Sequence, residues 1–145
     1  MKEKFKKLYM DWAKRTAELS HARRLQVGAV IVKDDSVISY GYNGMPAGWD
    51  NNCEDEIRYP DSEEITLKTK PEVLHAESNA IAKLAKSHNS GLGATMFITH
   101  APCMECAKLI YQSGIGHVLY RDAYRDTSGV TFLEKSGVVV EKIHY

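Results

Sequence analysis

The chain has 145 residues, enough for one compact domain with a sizeable core, here taken as residues 1–145. Hydrophobic residues make up 43% and charged residues 26%, the values of an ordinary globular protein, and the formal net charge is zero. The zero charge argues against a general nucleic-acid binder, which carries a basic excess, and no apolar run approaches the ~20 residues that span a membrane.

The N-terminal stretch MKEKFKKLYMDWAKR is charged and lacks the apolar centre of a signal peptide, which points to the cytoplasm. Within it, Phe5, Leu8, Tyr9, Trp12 and Ala13 recur at the spacing of an amphipathic helix, with the lysines on its wet face. LQVGAVIV follows as a buried, β-branched strand, KDDS as a turn, and VISYGYNG as a second strand, so residues 25–43 read as a hairpin. Residues 44–72 show no clear period and hold three of the four prolines together with Trp49 and Cys53. An irregular segment this long reads as a functional loop or lid, with room for a short helix of no definite position.

LHAESNAIAKLAKSH reads as a helix, and GLGATMFITH as a turn and a strand. PCMECAKLIYQSG is a helix entered at Pro102 and stopped at Gly114. IGHVLYR is a strand, TSGVTFLEKSG a short helix ending at Gly137, and VVVEKIHY a last strand. The alternation in the second half predicts parallel neighbours joined by crossover helices, while the opening hairpin adds an antiparallel pair. The expected fold is α/β: a five-stranded mixed sheet between helical layers, three layers in all.

Three cysteines in a reducing compartment argue against a disulfide framework, and the close pair Cys103 and Cys106 points to metal or redox chemistry. Three residues apart in the first turn of a helix, their sulfurs share a face where the helix dipole favours thiolates. His75 opens another helix and is the natural third ligand; the intervening chain fits a helix, a turn and a strand that returns to the same sheet edge. Three protein ligands leave a tetrahedral zinc open for catalysis. Two thiolates cancel the charge of Zn²⁺, which weakens its pull on water and calls for a base nearby. Glu77, two residues from His75, is placed to serve as general base and then acid. Taken alone, Cys-x-x-Cys also fits a redox pair or structural zinc; joined to His-x-Glu and the proline, it favours a catalytic metal.

The pattern H-x-E…P-C-x-x-C is a signature of zinc nucleobase deaminases. With VGAVIV, GYNGMPAG, HAESNAI, PCMECAKLIYQSGI and FLEKSGV, the chain resembles the deoxycytidylate (dCMP) deaminases of the cytidine deaminase-like superfamily over nearly its whole length. The resemblance implies zinc-dependent hydrolysis of dCMP to dUMP and ammonia, supplying dUMP for thymidylate synthesis. By position it implies zinc ligation by His75, Cys103 and Cys106 and proton shuttling by Glu77 to N3 and the leaving amine. It implies a nucleotide pocket drawn from Asn43, Asn79, Tyr120, Tyr124 and Arg125, with Asn43 on the sugar and Arg125 on the phosphate. Each of these has a plain structural alternative, such as a turn Asn, a loop contact or surface packing. It further implies a homohexamer activated by dCTP and inhibited by dTTP, with Gly41, Tyr42, Asn43 and Gly44 in the effector region and Mg²⁺ accompanying a triphosphate. Some relatives carry a second metal, for which His21 and Cys53 are the matching positions; a free Cys53 thiol is preferred here. A virus-encoded version acting in host cytoplasm fits equally. The competing readings are a tRNA or single-stranded DNA deaminase of the same superfamily and a non-catalytic zinc-folded interaction module.

Overall fold

The structure, a computed structural model, describes residues 1–144. A first helix, α1 (Glu3–Ala17), precedes the hairpin β1 (Gly28–Lys33) and β2 (Ser36–Tyr42). The hairpin turns on Asp34 and Asp35, with φ of 51° and 57°. Two consecutive left-handed residues match the twist of paired strands, and Asp tolerates that conformation better than most.

The long segment before the second helix is not helical anywhere. It folds as a separate two-stranded antiparallel ribbon, β3 (Glu54–Arg58) and β4 (Ile65–Thr69). The segment read as an irregular loop with room for a short helix thus holds a hairpin instead. Its strands, EDEIR and ITLKT, are mostly exposed and carry charge on both faces, so the alternation that marks a half-buried strand is missing from the sequence.

The second half runs α2 (Ala76–Ala85), β5 (Thr95–His100), α3 (Met104–Gln112), β6 (His117–Asp122), α4 (Ser128–Lys135) and β7 (Val139–Lys142). Tyr145, the end of the expected last strand, lies outside the described residues. The main sheet has the order β2-β1-β5-β6-β7. β1 is antiparallel to both β2 and β5, and β5, β6 and β7 run parallel, which is the mixed sheet anticipated from the element order.

The period of two along each central strand sorts the core into two layers. Val30, Val32, Phe97 and Leu119 meet Tyr9, Met10 and Ala13 of α1 on one face. Ala29, Ile31, Met96, Ile98 and Val118 meet Ala76, Ala80 and Leu84 of α2, Ala107 and Ile110 of α3, and Leu133 of α4 on the other. Burying a side chain of this size contributes roughly 1.5–3 kcal/mol, so the three-helix layer is held firmly against the sheet. A Cβ added to Gly41 on β2 would lie 2.3 Å from the carbonyl oxygen of Ala76 and 2.7 Å from the nitrogen of Ala80. The missing side chain lets the first turn of α2 lie directly on the strand, and that turn carries His75 and Glu77.

Candidate active site

His75 and Cys103 occupy equivalent places: each is the extended N-cap residue of its helix, α2 and α3. The backbone leading into His75 is fixed by reciprocal hydrogen bonds between Gly44 and Leu74, at 3.1 and 2.8 Å. The backbone leading into Cys103 is fixed where the Ala101 N–H donates to the Asp122 carbonyl at the end of β6, at 2.9 Å. Two helix N-termini thus meet beyond the ends of the strands, with their positive dipole ends toward one point.

There the Nδ1 of His75 lies 3.3 Å from the Sγ of Cys106 and 3.7 Å from the Sγ of Cys103. All three donor atoms lie within 4.8 Å of one another, and among the described residues no other group of three such side chains gathers in this way. Zinc bound at ordinary lengths to nitrogen and sulfur, in tetrahedral geometry, separates those two atoms by about 3.6 Å. The spacings found here bracket that value, and the soft N,S,S donor set suits the same ion. These residues could hold a metal.

The charges depend on one another. The Cys106 thiol and then the His75 ring pull the Cys103 thiol down to about 4, while the Cys103 thiolate and burial push Cys106 up. The same thiolate raises His75, against the effect of burial. Binding a metal must therefore expel the proton that Cys106 keeps. Glu77, in the first turn of α2, is only 5% exposed. Burial raises its pKa, opposed by its own backbone N–H and by His75. A carboxylate whose proton is held more tightly by burial is suited to take up a proton and pass it on.

A cavity of about 440 Å³ opens beside these groups. Its lining includes His75, Glu77 and Cys103, with Asn43 and Tyr124 from the expected nucleotide set. Asn43 fastens a neighbouring wall: its Oδ1 accepts from the Val27 N–H and its Nδ2 donates to the Leu25 carbonyl, both at 2.8 Å. The other expected nucleotide residues lie elsewhere. Asn79 donates to the Tyr42 carbonyl at 2.9 Å and lines a second cavity. Tyr120 is half-buried within β6, and Arg125 is exposed in the turn after it; neither lines the first cavity. Arg24, Glu54 and His100 do line it, and none was singled out from the sequence as a site residue. The nearest sequence signal was the loop assignment around residue 54, since that stretch was read as a possible lid.

Of Gly41, Tyr42, Asn43 and Gly44, three line a cavity and Gly41, packed under α2, lines neither. Tyr42 and Gly44 line the second with His21, Lys83 and Lys86, whereas Asn43 faces the first. His21 and Cys53 also fall on different cavities, and Cys53 is a buried free thiol that donates to the Asn51 carbonyl at 3.5 Å.

Residues 3–121 match the family described as Cytidine and deoxycytidylate deaminase zinc-binding region. The deoxycytidylate deaminase of Homo sapiens is 38% identical over 134 residues, an alignment that spans 85% of this chain and 72% of that protein. The deoxycytidylate deaminase of Mycobacterium phage D29 is 37% identical over 117 residues, spanning 77% of this chain and 90% of the phage protein. In three dimensions the chain is similar to the dCMP deaminase from the cyanophage S-TIM5, whose crystal structure is in complex with dCMP and dUMP. That match has a TM-score of 0.87 at 42% identity and covers 99% of each chain. With a sheet, a His/Cys/Cys cluster and a buried glutamate arranged as described, this chain belongs to the cytidine and deoxycytidylate deaminase family.

Proposed function

We propose that residues 1–145 act as one zinc-dependent deaminase domain that hydrolyses dCMP to dUMP and ammonia. The observation that carries this is the convergence of His75, Cys103 and Cys106 beside a cavity whose lining includes His75, Cys103 and the buried Glu77. The relatives named deoxycytidylate deaminase support the choice of substrate.

His75, Cys103 and Cys106 would hold the zinc, which when bound would supply Lewis acidity toward water. Glu77 takes a proton from that water as oxygen is delivered to C4 of the pyrimidine. It returns the proton to N3, and a further proton moves through the same carboxylate to the departing amine. Water loses two protons, the ring gains a carbonyl, and ammonia leaves. Burial keeps the Glu77 carboxylate out of bulk water, so it exchanges protons with the reacting atoms instead. Asn43 and Tyr124 line the nucleotide pocket; Asn79, Tyr120 and Arg125 lie outside it and are left without a substrate contact.

The second cavity is the effector region, taking dCTP as activator or dTTP as inhibitor, with Mg²⁺ on the triphosphate. Its support is the placement of Tyr42 and Gly44 beside Lys83 and Lys86, two cations suited to phosphate. Gly41 and Asn43, on the strand and turn between the cavities, would connect effector and substrate. The assembly proposed is a homohexamer in the cytoplasm, or in host cytoplasm for a viral protein, where its dUMP feeds thymidylate synthesis. No helix among the described residues is long and apolar enough to cross a membrane.

Glu77→Ala tests the mechanism. The variant is expected to bind one zinc per chain by elemental analysis and to lose dCMP deamination, read from the ultraviolet change of the base. Full activity in that variant would refute the assignment.

A further inference from the structure

The proposed reaction constrains how the pyrimidine lies in the cavity. The ring atoms on either side of C4 are N3 and C5. A base whose N3 meets Glu77, on the first turn of α2, turns C5 away from that helix. The neighbouring chain is the stretch from the end of β5 into α3, which gives His100, Ala101 and Cys103 to the lining. Of these, Cys103 belongs to the metal cluster and Ala101 is small, so His100 is the bulky side chain left to meet the base. We infer that the His100 ring is the wall that C5 faces, that it selects cytosine nucleotides bearing hydrogen there over those bearing a substituent, and that Asp122 positions it. The inference rests on the dCMP reading above and names which relatives of that substrate the site refuses.

A wall discriminates only if it cannot swing aside, and both nitrogens of this ring are engaged. Nε2 faces Oδ2 of Asp122 at 3.4 Å, and Nδ1 lies 3.1 Å from Oγ1 of Thr99. Burial lowers the pKa of His100, and the Arg121 guanidinium lowers that of Asp122, so a neutral ring stands beside an ionised carboxylate at neutral pH. A carboxylate only accepts, and a neutral imidazole has one N–H. That hydrogen therefore sits on Nε2, and Nδ1 accepts from the Thr99 hydroxyl. The hydroxyl oxygen in turn accepts the Gly28 N–H at 3.2 Å.

Asp122 is itself held. Arg121 donates to its Oδ2 through Nε and Nη2, at 3.2 and 2.9 Å. His100 and Asp122 are also register partners of β5 and β6, and the Ala101 N–H donates to the Asp122 carbonyl at 2.9 Å. The ring is thus tied to β1 through Gly28, to β5 through the buried Thr99 and to β6 through Asp122. With its nitrogens spent on these ties, the ring presents carbon to the cavity. It has no group to bond a polar substituent and no freedom to yield to an apolar one, so a methyl or hydroxymethyl on C5 meets an overpacked wall.

The test measures kcat/KM for dCMP, 5-methyl-dCMP and 5-hydroxymethyl-dCMP side by side, with the zinc-loaded wild type and the variants His100→Ala, His100→Phe and Asp122→Asn. One extra carbon against a fixed wall is expected to make the wild type favour dCMP over 5-methyl-dCMP by about 10–200-fold. His100→Ala should bring the two substrates close to parity, and His100→Phe, which keeps the bulk, should keep the discrimination. Asp122→Asn leaves the ring in place but loosens its tie, so it should lose part of the discrimination; it reads the same ratio if His100→Ala does not fold. Binding supplies a second readout: in cobalt-substituted protein the visible bands of the metal report dUMP and its 5-methyl counterpart, dTMP, at this site. The wild type should bind dUMP more tightly than dTMP, and His100→Ala should narrow the gap. Equal turnover of dCMP and 5-methyl-dCMP by the wild type overturns the inference, as does undiminished discrimination in His100→Ala. Undiminished discrimination in Asp122→Asn overturns the role of Asp122. If the wild type prefers dUMP to dTMP in a His100-dependent way yet does not deaminate dCMP, the wall stands and the proposed reaction falls.

Discussion

Gly129 offers a sharp test of how the fold holds the cysteines proposed as zinc ligands. It is buried in the first turn of α4, pressed against the peptide that leads into α3. A Cβ built there would lie 2.2 Å from the Pro102 carbonyl oxygen and 2.8 Å from that of Cys103. Ordinary contact begins near 3.4 Å, so Gly129→Ala forces a movement of about 1 Å between α4 and the Pro102–Cys103 peptide. Both obstacles are backbone, and Leu133 anchors α4 in the core at 0% exposure, so neither side yields freely. Overpacking of this kind costs about 1–3 kcal/mol, and the melting temperature should fall by roughly 3–12 °C. Zinc tolerates only about 0.2 Å in its bond lengths, so a shifted Cys103 should also weaken zinc binding by roughly 10–100-fold. Competition against a chromophoric chelator measures the second effect and a thermal melt the first. Wild-type zinc affinity and melting temperature in Gly129→Ala would refute the idea that this contact fixes the ligand.

In zinc-free protein, iodoacetamide should label Cys103 first and already near pH 6, since its neighbours pull its thiol to about 4, while Cys53 reacts slowly because it is buried. Zinc should protect Cys103, and peptide mapping would show labelling unchanged by zinc if the ligand assignment is wrong. His100 is half-buried and its pKa is lowered mainly by that burial, against the pull of Asp122. The unfolded chain then binds more protons below about pH 6.5, so the stability this residue gives is full above that pH and declines as pH falls toward its depressed folded value. Melts of His100→Asn across pH 7 to 5 should show a smaller acid-induced loss than the wild type; an equal loss would remove His100 from that balance. Asn43→Ala removes both bonds to the Leu25–Val27 wall and should cost about 2 kcal/mol in denaturant unfolding. Asn43→Asp keeps the acceptor for Val27 and should fall between the two.

The metal cluster was legible in the sequence because metal chemistry demands particular residue types at particular spacings. His75, Cys103 and Cys106 announce themselves by identity, and Pro102 and the helix starts supply their context. The central strands were legible because β-branched runs such as GAVIV bury on both faces. The hairpin of β3 and β4 was not, since Glu54, Asp55 and Glu56 in succession give no alternation and the pairing partner lies across a turn of unremarkable composition. Glu54 itself was invisible for a related reason. A glutamate in an acidic stretch reads as solvated surface, and only the fold shows that Arg23 and Arg24 turn their N–H groups onto it. Asn79 shows the reverse limit: helical spacing put it on the face of His75, but its amide is taken by the Tyr42 carbonyl.

The two helix starts at the site give up something for their position. An N-cap side chain ordinarily accepts a hydrogen bond from the first turn, worth about 1 kcal/mol. Neither His75 nor Cys103 makes that bond, because each turns its ring nitrogen or sulfur toward the other. The first turns of α2 and α3 are thus left with donors that a serine or aspartate would satisfy. The helices still form because their inner faces, Ala80 and Leu84 on one and Ala107 and Ile110 on the other, are locked in the core. Packing therefore maintains the frame, while ligation of the proposed zinc would supply the stabilisation that a capping side chain would have given. This divides the effects of losing metal: α2 and α3 should persist, and their first turns, which carry Glu77 and Cys106, should loosen. On the proposed mechanism, catalytic geometry would then fail well before the fold does, since Glu77 and Cys106 sit on the turns that the ion would hold.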